Sequence, residues 1–217
     1  MNLDQATTDK LWGIASRLPF ESKYLIQLEK NIAINPALQF ENSLKQFVLE
    51  LGSGWGEVAI ELARKNSETG YILMEKNRDR LHFTIREIER YNLKNIKLIC
   101  CNFNWFLKEL FQEKSFHKII LNFPDPWPKK KHWHNRTISL AFIESIHSLL
   151  DNKGIFLFAT DHGGYGRFAI STFRKTNLFK PIGSEYVFIR REFPISKFEK
   201  EKKIENKTIY YLEREKI

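Results

Sequence analysis

The chain predicts an α/β protein built on one mostly parallel, seven-stranded sheet with helices on both faces, and three observations carry that prediction. From about residue 46, short apolar runs alternate with helical patterns, the arrangement that gives parallel strands joined by crossover helices. The first run ends in a glycine turn, Glu50-Leu-Gly-Ser-Gly-Trp-Gly56, directly ahead of a helical stretch, the layout of a nucleotide-type cofactor site. The 217 residues suit one domain with a sizeable core, since single domains commonly reach ~250 residues before splitting.

In chain order, residues 1–45 form an extension ahead of a domain over residues 46–217. In the extension five Lys and Arg balance five Asp and Glu. Leu11, Trp12, Ile14 and Leu18 suggest a short amphipathic helix, and Pro19 and Pro36 bar a long one. It either caps the sheet or lies as an arm over substrate. Phe47–Leu51, Tyr71–Met74, Ile96–Cys101, Lys118–Phe123 and Ile155–Ala159 read as strands, rich in Ile, Val, Leu and aromatic residues. Between them Glu57–Lys65 places Val58, Ala59, Leu62 and Ala63 on one side, and Arg78–Tyr91 spaces Leu81, Ile85 and Ile88 helically. Trp105–Phe111 and Thr137–Leu150 continue the pattern. After Gly163-Gly164 a helix runs through Phe168 and Phe173. Tyr186–Glu192 and Thr208–Glu213 complete the sheet as an antiparallel edge, joined by a lysine-rich connection over residues 193–207.

Composition narrows the partners. Thirty-five Lys and Arg against 26 Asp and Glu leave a net charge of +9, which favours polyanions through field and counterion release. The two cysteines, Cys100 and Cys101, are chain neighbours inside an apolar run, a poor arrangement for a disulfide and no metal spacing. His132, His134 and His162 have no Cys or carboxylate partners at zinc spacing, so no metal is expected. No apolar run approaches the ~18 residues that span a bilayer, and the first ten residues lack a signal core. A cytoplasmic protein, monomer or homodimer, is the expectation.

The glycine turn has the form E-x-G-x-G-x-G, its third glycine one residue early for the dinucleotide fingerprint. An acidic Glu50 ahead of Gly52 suits a cationic ligand better than phosphate; S-adenosylmethionine carries a sulfonium and an ammonium and no phosphate. Glu75, ending the second strand, is placed to accept from both ribose hydroxyls. Asn102, ending the third, either meets the adenine edge or is a plain turn residue.

Residues 122–136, Asn-Phe-Pro-Asp-Pro-Trp-Pro-Lys-Lys-Lys-His-Trp-His-Asn-Arg, bring a carboxylate, an indole and a cationic run into one stiff loop after the fourth strand. Pro124, Pro126 and Pro128 restrict themselves and the residues before them, so Asp125 and Trp127 are held at low entropic cost. The combination suits a flat, hydrogen-bonding base on a phosphate backbone. Lys129, Lys130, Lys131, Arg136, Arg190 and Arg191 are candidate phosphate contacts, and Trp127 either stacks on the base or packs beneath the loop.

Phe123-Pro-Asp-Pro-Trp-Pro-Lys-Lys-Lys-His132 resembles the signature of the bacterial tRNA (guanine-N7)-methyltransferases, with Glu50-Leu-Gly52, Glu75, Ala159-Thr-Asp161 and Ser196-Lys-Phe-Glu199 in the family's order. The resemblance covers roughly residues 46–213. The Pro-Asp-Pro-Trp segment is specific, whereas the glycine turn is shared by most class I methyltransferases. It implies a Rossmann-like class I methyltransferase fold, S-adenosyl-L-methionine as donor and the variable-loop guanine of tRNA as acceptor. Carried over, the cofactor contacts are Glu50, Gly52, Glu75, Asn102 and Asp125, with Asp125 also the catalytic residue. The substrate contacts are Lys129, Asp161, Ser196, Lys197, Phe198 and Glu199. The chain departs from the family at His134, Asn135 and Arg136, where a basic cluster is usual, and at Ser196, where threonine is usual. Transfer to an exocyclic amine and RNA binding on an inactive methyltransferase fold are the rival readings.

Overall fold

A computed structural model describes residues 4–217. Seven strands form one sheet: β1 (Gln46–Leu51), β2 (Thr69–Glu75), β3 (Ile96–Cys100), β4 (Phe116–Asn122), β5 (Leu150–Thr160), β6 (Phe179–Pro181) and β7 (Tyr210–Lys216). Their order is β3-β2-β1-β4-β5-β7-β6. Pairing is parallel from β3 through β5, and β7 runs antiparallel to both β5 and β6. Strand order reverses between β1 and β4, the switch point outside whose carboxyl ends ligands bind in open α/β sheets.

Helices α1 (Gln5–Ala15), α2 (Glu57–Lys65), α3 (Arg78–Arg90), α4 (Leu107–Leu110), α5 (Leu140–Leu149), α6 (Gly163–Phe173) and α7 (Lys197–Ile204) complete the fold. Alternate residues of the buried strands face opposite layers. Leu49, Ile119 and Leu121 pack with Phe106, Ile146 and Tyr165 from the α4, α5 and α6 side. Val48, Ile120 and Leu157 pack with Ala59, Leu81 and Ile88 from α2 and α3. Five of the helices are started by side chains that accept an otherwise unpaired amide: Asp4 for α1, Asn77 for α3, Ser139 for α5, His162 for α6 and Ser196 for α7.

The extension packs Trp12 and Ala15 into the same core as the sheet, Trp12 stacking on Phe106 with ring centroids 4.2 Å apart. Ile14 and Leu18, expected on the same apolar face, are exposed. Residues 24–26 continue the sheet past β3 through bonds of Ile26 and Tyr24 with Leu98, each 2.8 Å.

Four expectations differ. Tyr186–Glu192 is no strand; the edge strand is β6, which pairs with Arg214–Lys216 of β7. Only Val187 makes a bridge, to Tyr211, before a left-handed Glu192 (φ 55°) turns the chain. The lysine-rich connection holds α7, which has a single buried residue, Glu199, and therefore shows no apolar period. The helix expected over Thr137–Leu150 starts only at Leu140, after its Ser139 cap, and that over Trp105–Phe111 shrinks to one turn.

Candidate active site

β1 delivers Glu50 to the sheet's carboxyl edge, and the chain then turns through Gly52, Gly54 and Gly56 at φ of 65°, 60° and 75°, left-handed values that glycine alone adopts without penalty. At Gly56 a side chain is excluded outright, since a Cβ there would lie 2.6 Å from the Thr84 side chain. Glu75, at the end of β2, holds the turn. Its two carboxylate oxygens accept from the amides of Gly54 (3.0 Å) and Asn77 (2.8 Å), and Arg80 lies 3.5 Å away. Asn102 accepts from the Asn104 amide at 3.2 Å, a local turn.

Glu50 is buried, and its Oε2 has no partner. Burial pushes its pKa up to about 8, against the pull of the Ala59 amide and the Arg190 charge and with the help of Glu57. An orphaned buried carboxyl beside a side-chain-free turn fits a cationic cofactor, because only a ligand cation repays its desolvation.

β4 ends at Asn122, in register with Ala159 of β5, and the proline loop follows. Phe123 and Trp127 adopt positive φ, 50° and 42°, a region that costs such residues of order 1–3 kcal/mol each. Asp125 is exposed. Trp127 is half-buried, its ring meeting His132 edge-on at 5.8 Å. Lys129, Lys130 and Lys131 are exposed at the start of a 3-10 turn. Arg136, expected at phosphate, is instead buried. Its Nε donates to the Pro126 carbonyl at 2.9 Å and an Nη to that of Trp127 at 3.5 Å. The guanidinium lies 4.5, 5.0 and 4.7 Å from the ring centroids of Trp133, Tyr165 and Phe168.

Asp161 sits just past β5, half-buried. The segment Ser196–Glu199 forms the start of α7. The Ser196 hydroxyl accepts from the Glu199 amide at 3.1 Å, and the Glu199 carboxylate is buried, accepting from the Tyr211 hydroxyl and pairing with Lys203. The Phe198 ring packs 5.1 Å from Phe123 of the proline loop, and the Lys197 amide donates to Glu57 at 2.9 Å. The fold thus brings Glu50, Gly52, Glu75, Asp125, Asp161 and the start of α7 to one edge of the sheet.

Arg190, the second expected phosphate contact that turns inward, donates to Asn122 Oδ1 at 3.4 Å. It covers the rings of Phe193 (3.7 Å) and Tyr211 (4.9 Å). Burial lowers its pKa while Glu199, Tyr211, Glu213 and Glu50 resist. Arg191 stays exposed. Glu57, Asn122 and the buried roles of Arg136 and Arg190 were not evident in the sequence. Asn122 Nδ2 and Arg190 Nη1, like Glu50 Oε2, are buried without a partner. A groove of about 520 Å³ between α2 and α3 is lined by Trp55 of the glycine turn, Glu57, Arg64, Phe83 and Tyr91 among others. Among the described residues no cluster of His, Cys, Asp and Glu is set to hold a metal ion, and no helix is long and apolar enough to cross a membrane.

A family model described as "Putative methyltransferase" matches residues 45–212. The chain is 49% identical to a tRNA (guanine-N(7)-)-methyltransferase of Leptospira interrogans serogroup Icterohaemorrhagiae serovar Lai, over 97% of both chains. It is 36% identical to a protein of the same name from Thermotoga maritima, over 62% of this chain and 43% of that one. Among solved structures, the 16S rRNA methyltransferase KamB aligns with a TM-score of 0.59 at 10% identity over 80% of this chain and 88% of that one. SMU.1697c from Streptococcus mutans, in complex with SAH, aligns at 0.54 and 15% identity over 80% and 90%. These two share the fold.

Proposed function

Because the chain belongs to the tRNA (guanine-N(7)-)-methyltransferase family, we propose that it transfers a methyl group from S-adenosyl-L-methionine to N7 of a guanine in the variable loop of tRNA. One observation carries the reading. The glycine turn with its orphaned Glu50 and the loop with its exposed Asp125 leave neighbouring parallel strands, β1 and β4, at the switch point of the sheet.

Glu50, Gly52 and Glu75 would hold the cofactor, Glu50 facing its cationic end and Glu75 its ribose, while Asn102 would meet the adenine. When bound, S-adenosyl-L-methionine supplies an electrophilic methyl group on a sulfonium sulfur. Guanine N7 has an in-plane lone pair and no proton, so the chain needs no general base to make the nucleophile. Its task is positioning, which supplies on the order of 7 kcal/mol or more in favourable cases. Asp125 would accept from the guanine N1 and N2 hydrogens and stabilise the positive charge that the ring acquires, with Asp161 sharing that role. Lys129 and the start of α7 would contact the tRNA around the base.

The test incubates the purified protein with labelled cofactor and transcripts that differ only at the variable-loop guanine. Label in 7-methylguanosine, only in transcripts that have the guanine, is the expected result. Label in N2-methylguanosine would move the reaction to the exocyclic amine, and no label with retained RNA binding would leave a binding module.

A further inference from the structure

Tyr186, Phe188 and Tyr210 form a cluster of three rings with centroids 5.2 to 5.6 Å apart. Two of them face solvent, Phe188 at 53% and Tyr186 at 39% exposure, with Ile189 beside them at 73%. Only Val187 of this stretch pairs with the sheet, so its apolar side chains gain little burial from strand pairing. We propose that the cluster is a stacking platform for an unpaired tRNA base that flanks the target guanine, an inference that rests on the tRNA reading above.

Position is the first support. Tyr210 pairs with Thr160, the residue before Asp161, and Val187 is bridged to Tyr211. Gly163, at the start of α6, approaches so closely that a Cβ there would lie 2.9 Å from the Tyr210 hydroxyl. The cluster is therefore fixed at the carboxyl end of β5, the same edge from which the proline loop departs.

Chemistry is the second. A base that enters the site must leave its own stack, and its neighbours then expose their faces, which aromatic side chains cover in single-stranded recognition. Charge selects among occupants. Arg191, Lys197, Lys200 and Lys207 are exposed in the surrounding segment and make no ion pair among the described residues. Over residues 186–207 seven Lys and Arg outnumber four Glu, so this face attracts a polyanion and repels a second copy of itself.

The experiment compares the full-length protein with Phe188→Ala, Phe188→Leu and Phe188→Trp, using tRNA that carries 2-aminopurine on either side of the target guanine. With Ala or Leu the KM for tRNA should rise roughly 5- to 150-fold, the span of losing one base–aromatic stack. Cofactor affinity should hold, and Trp should restore the wild-type KM. Binding should quench 2-aminopurine in one of the two tRNAs with wild type and Trp, and not with Leu. Unchanged KM and quenching in the Leu variant would overturn the platform, as would a change confined to self-association. If the wild-type protein leaves tRNA unmethylated, the failure belongs to the proposed function and not to the platform.

Discussion

The glycine turn after β1 and the proline loop after β4 leave the sheet side by side, yet they are held in opposite ways. The turn is held through its backbone: its positive φ values fall on glycines, the Gly56 amide closes on the Ser53 carbonyl at 3.0 Å, and Glu75 of β2 accepts from the Gly54 amide. In the loop the positive φ values fall on Phe123 and Trp127. Its three prolines donate no amide, and the carbonyls of Pro126 and Trp127 are bound by the side chain of Arg136 at the loop's far end. A relaxed turn thus adjoins a strained loop, and the strain persists because a buried guanidinium opposes its release.

The largest expected break in that pairing is Asp125→Ala. Methyl transfer should fall on the order of 10²- to 10³-fold or more, the scale of losing one preorganised electrostatic contact, while calorimetric titration finds cofactor affinity nearly unchanged. Normal turnover would take catalysis away from the loop. Next comes Arg136→Ala, which leaves two carbonyls and a ring of aromatics without their partner. Thermal melting should report a loss of about 2–4 kcal/mol. Arg136→Lys should not rescue it, because one ammonium cannot replace the planar fork.

Glu50 sharpens the comparison from the other side. Its folded-state pKa, about 8, lies above the ordinary carboxyl value, so the fold favours the protonated form. Its contribution to stability is therefore present at low pH and lost as pH rises through 8. A cationic cofactor favours the carboxylate, so affinity should rise by up to about tenfold per unit toward pH 8 and then level off. Glu50→Gln should flatten both the affinity profile and the melting profile, and an unchanged slope in that variant would assign the titration elsewhere. Arg190 and Glu57 face the same carboxyl, the first opposing and the second adding to its upward shift. The smallest effect is Lys129→Ala, which should weaken tRNA binding and reduce its salt slope by about 1.

The parallel half of the sheet was legible because β1, β2 and β4 are apolar runs buried on both faces, a signal that resides in the strand itself. The glycine turn and the proline loop were legible for the same local reason. Arg136 was not. In sequence it extends a basic run, and only the packing of Trp133, Tyr165 and Phe168 around it, from two separate stretches of chain, turns it inward. Tyr186–Glu192 has the composition of a strand, but only Val187 of it pairs with β7, and β6 takes the neighbouring part of that edge. α7 has no apolar stripe to announce it. Its one local sign was the Ser196-x-x-Glu199 spacing, a capping-box pattern in which the glutamate turns to Tyr211 instead.

The bond from the Lys197 amide to Glu57 joins residues 140 positions apart in the chain, the first helical residue after the glycine turn and the first of α7. The glycine turn and the distal helix are thereby tied together. Trimming or loosening that late segment should be felt at the turn, and under the proposed function inactivating lesions are to be sought there as well as in the proline loop.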